Sequence, residues 1–251
     1  MSGHSALNIV RVSVTADGAQ VSGDRELSLA PTISADGARV AFHSIAPDLV
    51  LGDTNDTYDA FVKDLKGGGI VRASVAPDGS QAEGLYAGLY PILSADGSRV
   101  AFRSQATNFV PNDENATDDI FVKDLESDSI IRIRNSEDSG SHDFSADGAS
   151  VAVGAVGAKI FVQDLLTDRD FRADIDTDDN PDTISVSFTP ALSADGSLVA
   201  FDSRIFVNEV PEDFSGLDVI NENAGVYLKD LSTGDITKAL DDVFNFRLSD
   251  D

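Results

Sequence analysis

The chain has 251 residues, of which 41% are hydrophobic, enough for one large domain with a buried core. It carries 18 Lys and Arg against 44 Asp and Glu, a formal net charge of -26. This balance argues against nucleic acids and anionic membranes as partners, because neutralising phosphates requires clustered basic side chains. The sequence contains no cysteine, which excludes disulfides, thiolate metal ligands and cysteine nucleophiles.

The N-terminal residues, MSGHSALNIVRV, lack a basic segment followed by an apolar one, so no signal peptide is visible. No apolar run approaches the roughly 20 residues that span a bilayer, and no membrane insertion is expected. Residues 8–14 (NIVRVSV) alternate apolar and polar side chains and are predicted to form a strand.

From residue 31 the chain reads as a unit of four short strands. PTIS is followed by an Ala-Asp-Gly turn and then by RVAFHS, where Val40 and Phe42 alternate with polar neighbours as in a half-buried strand. A polar loop, residues 48–59, leads to AFVKDL, a glycine-rich turn and IVRASV. The unit therefore consists of hairpins, with no sustained helical period.

Two phrases of this unit recur in fixed order. The first reads ISADGARVAF, LSADGSRVAF, FSADGASVAV and LSADGSLVAF, at residues 33–42, 93–102, 144–153 and 192–201. The second reads FVKDL, FVKDL, FVQDL and YLKDL, beginning at residues 61, 121, 161 and 227. The repeats span roughly residues 31–75, 91–134, 143–173 and 190–240. The third has lost its mid-unit loop and the fourth has gained one.

Four-stranded antiparallel units repeated around a circle describe an all-β propeller, here a single domain over residues 1–251. Residues 8–14 match the fourth strand of a unit and are expected to complete a blade, whereas residues 244–251 look like the start of a further repeat. About four repeats plus partial terminal strands predict an incomplete ring or a five-bladed one. Unpaired terminal strands would favour self-association.

The SADG-x-x-VAF … FVKDL … Arg pattern resembles the WD-like repeats of TolB-type β-propellers, over roughly Ile9 to Asp251. The resemblance implies the propeller fold and favours a periplasmic or secreted location. It implies little about function, since such propellers serve as scaffolds, peptide-binding platforms, lectin-like modules and enzyme accessory domains.

The loops between the second and third strands of the first two units carry a candidate calcium site. Aligned on the following Phe, they place oxygen-bearing side chains at alternate positions, and hard cations take six to eight such oxygens. The candidate ligands are Asp53, Asn55, Thr57, Asp59, Asp113, Asn115, Thr117 and Asp119. The loops resemble the calcium loops of integrin-type FG-GAP propellers but lack the central Gly. The alternative is that they are turns, in which Asx side chains bond their own backbone.

Two further sets of aspartates recur with the repeat. They are Asp36, Asp96, Asp147 and Asp195 of the first phrase, and Asp64, Asp124, Asp164 and Asp230 of the second. The first set is either a ring of carboxylates at the channel mouth or a set of turn residues, and the second set is expected to hold the turn into the fourth strand.

No catalytic signature occurs, and the three histidines show no metal-ligand spacing. The sequence therefore favours a non-catalytic binding or scaffold propeller, calcium-stabilised if the loops bind the ion, with a protein or carbohydrate partner. One alternative is a lectin-like propeller, for which Tyr86 and Tyr90 are the clustered aromatic pair. The other is a hydrolase or lyase with residues at the channel mouth.

Overall fold

The structure is a computed structural model that describes residues 9–21, 27–136, 139–155, 159–174, 183–207 and 224–241. The repeat start predicted at residues 244–251 lies outside the described residues, as does residue 8. Within the described ranges every regular element is a β-strand, and there is no helix long and apolar enough to cross a membrane.

The strands form four sheets, each of four strands in chain order with antiparallel neighbours. Blade 1 contains β1 (Ser28–Ile33), β2 (Arg39–Ser44), β3 (Asp59–Asp64) and β4 (Ile70–Arg72). Blade 2 contains β5 (Leu89–Leu93), β6 (Arg99–Ser104), β7 (Asp119–Asp124) and β8 (Ile130–Arg132). Blade 3 contains β9 (Ser141–Phe144), β10 (Ser150–Ala155), β11 (Lys159–Asp164) and β12 (Arg169–Arg172). Blade 4 contains β13 (Thr183–Leu192), β14 (Leu198–Val207), β15 (Gly225–Asp230) and β16 (Ile236–Asp241). The predicted all-β propeller of four-stranded antiparallel blades is confirmed.

The repeated phrases occupy the two central strands of each blade. In blade 1, β2 and β3 pair so that Phe42 lies opposite Phe61, and their rings stack with centroids 5.9 Å apart. The expectation that β2 is half-buried is wrong, because Ala41 and His43 on its second face are as buried as Val40 and Phe42. One face of this sheet packs against blade 2 and the other against Val21 and Leu49, so β2 has no solvent face.

Hydrophobic cores lie between adjacent blades rather than within one. One cluster joins Ala60 and Val62 of blade 1 to Val100, Phe102 and Phe121 of blade 2. Equivalent clusters join blade 2 to blade 3 and blade 3 to blade 4. Strands β1, β5, β9 and β13 lie next to one another from blade to blade and are therefore the innermost strands.

The SADG turns also join the blades. In each turn the serine hydroxyl donates to the aspartate, and the aspartate accepts the N–H two residues on; in blade 1 these are Ser34 to Asp36 (2.8 Å) and Ala38 to Asp36 (2.8 Å). The backbone then bonds the next blade's turn, as Ala35 N–H donates to the Ala95 carbonyl (2.8 Å). Ala95 N–H of blade 2 donates in the same way to the Ala146 carbonyl of blade 3 (2.8 Å). From blade 3 to blade 4 the donor is one residue later, Asp147 N–H to the Ala194 carbonyl (3.1 Å).

Two glycines of these turns distinguish backbone strain within the turn from packing between blades. Gly37 and Gly196 have φ of 66° and 67°, but a Cβ on Gly37 would meet nothing within 4 Å, whereas one on Gly196 would lie 3.0 Å from Ser150 Cβ. We expect Gly37→Ala to cost about 1 kcal/mol of stability through backbone strain. Gly196→Ala should cost about 1–3 kcal/mol more through overpacking against blade 3. Urea unfolding of both variants checks this, and equal losses would contradict a packed joint.

Residues 9–14 do not form the predicted strand. In the described chain each of the four blades already has its own fourth strand, so these residues complete none of them. Val14 makes a single isolated bridge to Gln20, and Ile9 is fully exposed. The apolar alternation is present, but a strand requires a neighbouring ladder, and the described structure places no third strand beside this segment.

Candidate binding site

The predicted calcium loop of blade 1 converges on an arginine. Arg72, at the end of β4, places Nη1 2.9 Å from Asp53 Oδ1 and 3.8 Å from Asp59 Oδ2. All three side chains are buried, and Arg72 exposes 9% of its side-chain surface. The two carboxylates thus share one guanidinium.

The remaining predicted residues of this loop support that ion pair or point elsewhere. Ser74 donates its hydroxyl to Asp59 Oδ1 (2.6 Å) and accepts the Ala60 N–H (3.0 Å). Asn55 accepts the Thr57 N–H at 3.4 Å, a turn contact, while the Thr57 hydroxyl donates to the Leu85 carbonyl (2.6 Å). The loop brings Asp53 and Asp59 together, and Thr57 bonds the connection to blade 2 instead.

Blade 2 repeats the arrangement. Arg132 Nη1 lies 3.1 Å from Asp113 Oδ1 and 3.6 Å from Asp119 Oδ2. Asp119 accepts the Ser136 hydroxyl (3.1 Å) and the Asn115 amide (3.1 Å). The Thr117 N–H donates to Asn115 Oδ1 (3.2 Å), as Thr57 does to Asn55 in blade 1.

These side chains do not fit a calcium ion. A cation between the carboxylates would occupy the position of the guanidinium, which already neutralises them. Within the described ranges, no three His, Cys, Asp or Glu side chains are arranged to hold a metal. The turn alternative accounts for the two recurring sets as well, because Asp64 accepts the N–H groups of Lys66 and Gly67 and the other members do likewise.

Burial raises the pKa of Asp59 to about 6, and burial also raises the pKa of Asp53 and Asp119. A carboxyl whose pKa is higher in the folded than in the unfolded state binds more protons when folded. Its contribution to stability is therefore lost as pH rises from about 4 to about 6.

Asp59→Asn tests this pH dependence, because the amide does not titrate. We expect the variant to gain stability relative to the parent protein as pH rises from about 4 to about 7. Denaturant unfolding at intervals across this range measures the difference, with the exposed Asp78→Asn as the control. A constant difference would show that Asp59 keeps its ordinary pKa.

Arg72 and Arg132 were not among the site residues predicted from the sequence. The signal was present, because an arginine recurs opposite the third-strand aromatic residue, pairing Phe61 with Arg72, Phe121 with Arg132 and Phe161 with Arg172. In blade 3, which lacks the loop, Arg172 binds the buried Asp174 instead, at 3.0 Å.

A second group of polar and aromatic side chains lies at the inner strand of blade 2. Tyr90 sits at an irregularity of β5, has φ of 50° and is 52% exposed. Ala30 and Thr189 occupy the same position in blades 1 and 4 with similar φ, so the bulge belongs to the repeat. What distinguishes blade 2 is the aromatic ring that the bulge presents.

Side chains from three blades surround this ring. His43 of blade 1 packs edge-on against Tyr90 and Tyr58, with 5.4 Å between centroids in each pair, and its Nδ1 accepts the Tyr90 N–H (3.1 Å). Arg103 lies over the Tyr90 ring with Cζ 5.1 Å from the centroid, a cation–π contact. The Tyr90 cluster comprises Tyr58, Tyr90, Arg103, Asp118, His43 and His142.

The cluster holds buried polar atoms without a partner. Arg103 Nε faces Asp118 Oδ2 at 3.6 Å, beyond hydrogen-bond reach. Arg103 Nε, Asp118 Oδ1 and His142 Nε2 make no hydrogen bond to the described residues. Burial, followed by the charge of Arg103, lowers the pKa of His142 to about 4 and also lowers that of His43, so both rings are neutral near pH 7.

Part of this cluster was predicted from the sequence. Tyr90 was a predicted aromatic candidate, paired with Tyr86, but the structure places the Tyr86 carbonyl against Ser104 and Gln105, in the connection before β5. Arg103, Asp118 and Tyr58 were missed, since each comes from a different strand end and only the circular arrangement of blades brings them together.

No family model matches the chain, and no curated protein matches its sequence. Solved structures do. TolB from Acinetobacter baumannii is 20% identical with a TM-score of 0.49, and the match covers 90% of this chain and 47% of that one. Dipeptidyl peptidase 4 from Porphyromonas gingivalis is 13% identical with a TM-score of 0.50, covering 86% and 32%.

The β-propeller domain of the Trilobed protease from Pyrococcus furiosus, described as having an open velcro topology, is 15% identical with a TM-score of 0.44, covering 90% and 77%. The chain thus spans about half the length of the Acinetobacter TolB and a third of the peptidase. These likenesses concern the β-propeller fold alone.

Proposed function

We propose that this TolB-like β-propeller is a non-catalytic binding module whose ligand binds at the Tyr90 cluster. The observation that carries the proposal is the set of buried polar atoms that make no hydrogen bond within the described part of the chain, on Arg103, Asp118 and His142. A buried polar group without a hydrogen bond costs about 1–3 kcal/mol, so three in one place favour an external partner.

The cluster offers complementary chemistry. Arg103 supplies donors, Asp118 supplies acceptors, and Tyr90 supplies an exposed aromatic surface beside them. Because the opposite charges of Arg103 and Asp118 offset one another, a neutral polar ligand suits the cluster better than a strongly charged one.

Two features support a binding role rather than hydrolysis or elimination. The Nδ1 atom of His43 is engaged by the Tyr90 N–H, and the pKa values of both histidines are lowered, which makes them weak bases. Tyr90 and Arg103 hold each other by a cation–π contact, an arrangement suited to recognition.

A carbohydrate is the second candidate ligand, favoured by the exposed ring of Tyr90. Sugar rings stack on aromatic faces, and their hydroxyl groups both donate and accept, which matches an arginine beside a carboxylate. A peptide of a protein partner would use the same groups through its amides.

Titration monitored by NMR of ring-labelled tyrosines tests the proposal, with monosaccharides and dipeptides as the two probe panels. We expect members of one panel to shift the Tyr90 and Tyr58 signals and leave the buried Tyr227 unchanged. Tyr90→Leu should abolish binding followed by calorimetry, whereas Tyr86→Leu, outside the cluster, should retain it. Silence of both panels at Tyr90, or chemical conversion of the bound probe, would overturn the proposal.

Calcium binding at the first two blades stays a prediction, and the geometry argues against it. We expect the protein to have the same melting temperature in millimolar Ca²⁺ and in EDTA, because Arg72 and Arg132 neutralise the candidate carboxylates. A ligand bound only to the folded state must raise stability, so a rise in melting temperature that Asp53→Asn removes would restore the calcium interpretation.

A further inference from the structure

In blade 1, the connection to blade 2 covers the buried ion pair. Its Gln81 accepts hydrogen bonds at Oε1 from Arg72 Nη1 (3.1 Å) and from the Thr54 N–H (3.1 Å). Its Nε2 donates to the Thr54 hydroxyl (2.7 Å). One carboxamide therefore bonds both the arginine and the loop that carries Asp53.

A small backbone motif holds this glutamine in place. Val75 and Gln81 form an isolated bridge around a turn in which Gly79 has φ of 82°. The chain contains the motif twice, as VTADGAQV at residues 14–21 and as VAPDGSQA at residues 75–82, and Val14 pairs with Gln20 in the same way. The motif thus occurs before blade 1 and again between blades 1 and 2.

In blade 2, no described residue covers the ion pair in this way. Residues 73–88 connect β4 to β5, whereas residues 133–140, half as many, connect β8 to β9. Among the described residues, Arg132 bonds its carboxylates and no carboxamide takes the place of Gln81. Arg132 exposes 30% of its side-chain surface, against 9% for Arg72.

A groove lies beside the uncovered arginine, with a volume of about 560 Å³. Its lining residues are Val110, Pro111, Ile130, Ile131, Arg132, Arg134, Asn135 and Asp170. Four apolar residues line the groove along the loop and β8, whereas two arginines, Asn135 and Asp170 make the rest of the lining polar. Arg132 is the polar group on which an entering side chain can be fixed.

We propose that this groove binds a peptide segment of a partner protein, with a glutamine side chain bonded to Arg132 as Gln81 is bonded to Arg72. The residue that corresponds to Thr54 is Glu114, which follows Asp113 as Thr54 follows Asp53. In the bound state its N–H would donate to the amide oxygen and its carboxylate would accept from the amide nitrogen, as the N–H and hydroxyl of Thr54 do with Gln81. Flanking apolar residues of the peptide would contact Val110 and Ile131.

The same contacts select against an acidic side chain. A glutamate in the groove would meet the carboxylates of Glu114 and Asp113 within a protein of net charge -26. The groove lies on the outer strand of blade 2, away from the inner strand that carries Tyr90, so this peptide site is separate from the ligand site proposed above.

The chain's own motif supplies the probe. A fluorescent peptide of sequence VAPDGSQA, added to the intact protein, is expected to bind with a Kd of about 1 mM or below by fluorescence anisotropy. Changing its glutamine to glutamate should weaken binding by about tenfold or more, because a carboxylate cannot donate to the Glu114 carboxylate and is repelled by it. Absence of binding, or equal affinity for the two peptides, overturns the proposal.

Variants of the protein locate the site without touching the buried ion pair. Ile131→Lys, on an exposed groove wall, should abolish binding, whereas Val71→Lys, at the equivalent exposed position of blade 1, should leave it unchanged. Glu114→Gln should narrow the preference for the glutamine peptide over the glutamate peptide. Melting curves verify that each variant is folded, and loss of binding in Val71→Lys equal to that in Ile131→Lys would place the peptide elsewhere.

Discussion

Replacing Arg72 by methionine is expected to lower the free energy of unfolding by about 3–5 kcal/mol, because it leaves two buried carboxylates without their shared cation. Asp53 and Asp59 lie 2.9 and 3.8 Å from the guanidinium and are almost fully buried. The long methionine side chain preserves most of the packing, so the loss reports the charge. It should be smaller near pH 5 than near pH 7, since protonation of Asp59 removes the uncompensated charge.

Urea unfolding at the two pH values measures the effect, and Arg134→Met is the matched control. Arg134 also joins two aspartates, Asp168 and Asp170, but all three side chains are exposed, so its removal should cost less than about 1 kcal/mol. Adding Asp53→Asn to Arg72→Met should recover part of the loss. If both arginine variants lose the same stability, the buried pair carries no special weight.

Truncating Phe121 to alanine is expected to cost about 3–5 kcal/mol, because its fully buried ring lies in the core between blades 1 and 2. The ring centroid is 5.1 Å from that of Phe109 and 6.3 Å from that of Phe102. The cavity would open where three aromatic rings meet, and the strands of both blades fix its walls.

Phe171→Ala provides the comparison, since Phe171 lies on the outer strand β12 and is 39% exposed. We expect it to cost about 1 kcal/mol or less. Calorimetric melting of the two variants checks the order. A small loss for Phe121→Ala would mean that neighbouring blades move together to fill the cavity.

The fold could be predicted from the sequence because each repeat contains the residues that define its own turns and strands. The SADG turns and the apolar pairs such as Phe42 and Phe61 are local, and a pattern that recurs four times is hard to misread. The strand predicted at residues 8–14 is absent from the described residues 9–14. Alternation specifies which face of a strand is apolar, but it does not specify whether a partner strand is present.

The candidate site was less accessible to sequence reasoning. Asp53 and Asp59 were predicted to converge, with a calcium ion or a turn as the two alternatives. Their arginine was not considered, because it lies in a separate strand. The Tyr90 cluster joins strand ends from blades 1, 2 and 3, and no spacing within one repeat encodes such a meeting.

The hydrogen bonds between the SADG turns all run in one direction, with the N–H of each blade given to a carbonyl of the next. Every internal blade therefore carries a donor for its successor and an acceptor for its predecessor within the same four residues. Duplication of a gene segment that encodes one repeat would therefore supply both the donor and the acceptor of this hydrogen bond. A blade could then be added or removed by a change in the number of repeats, without a new type of hydrogen bond between turns.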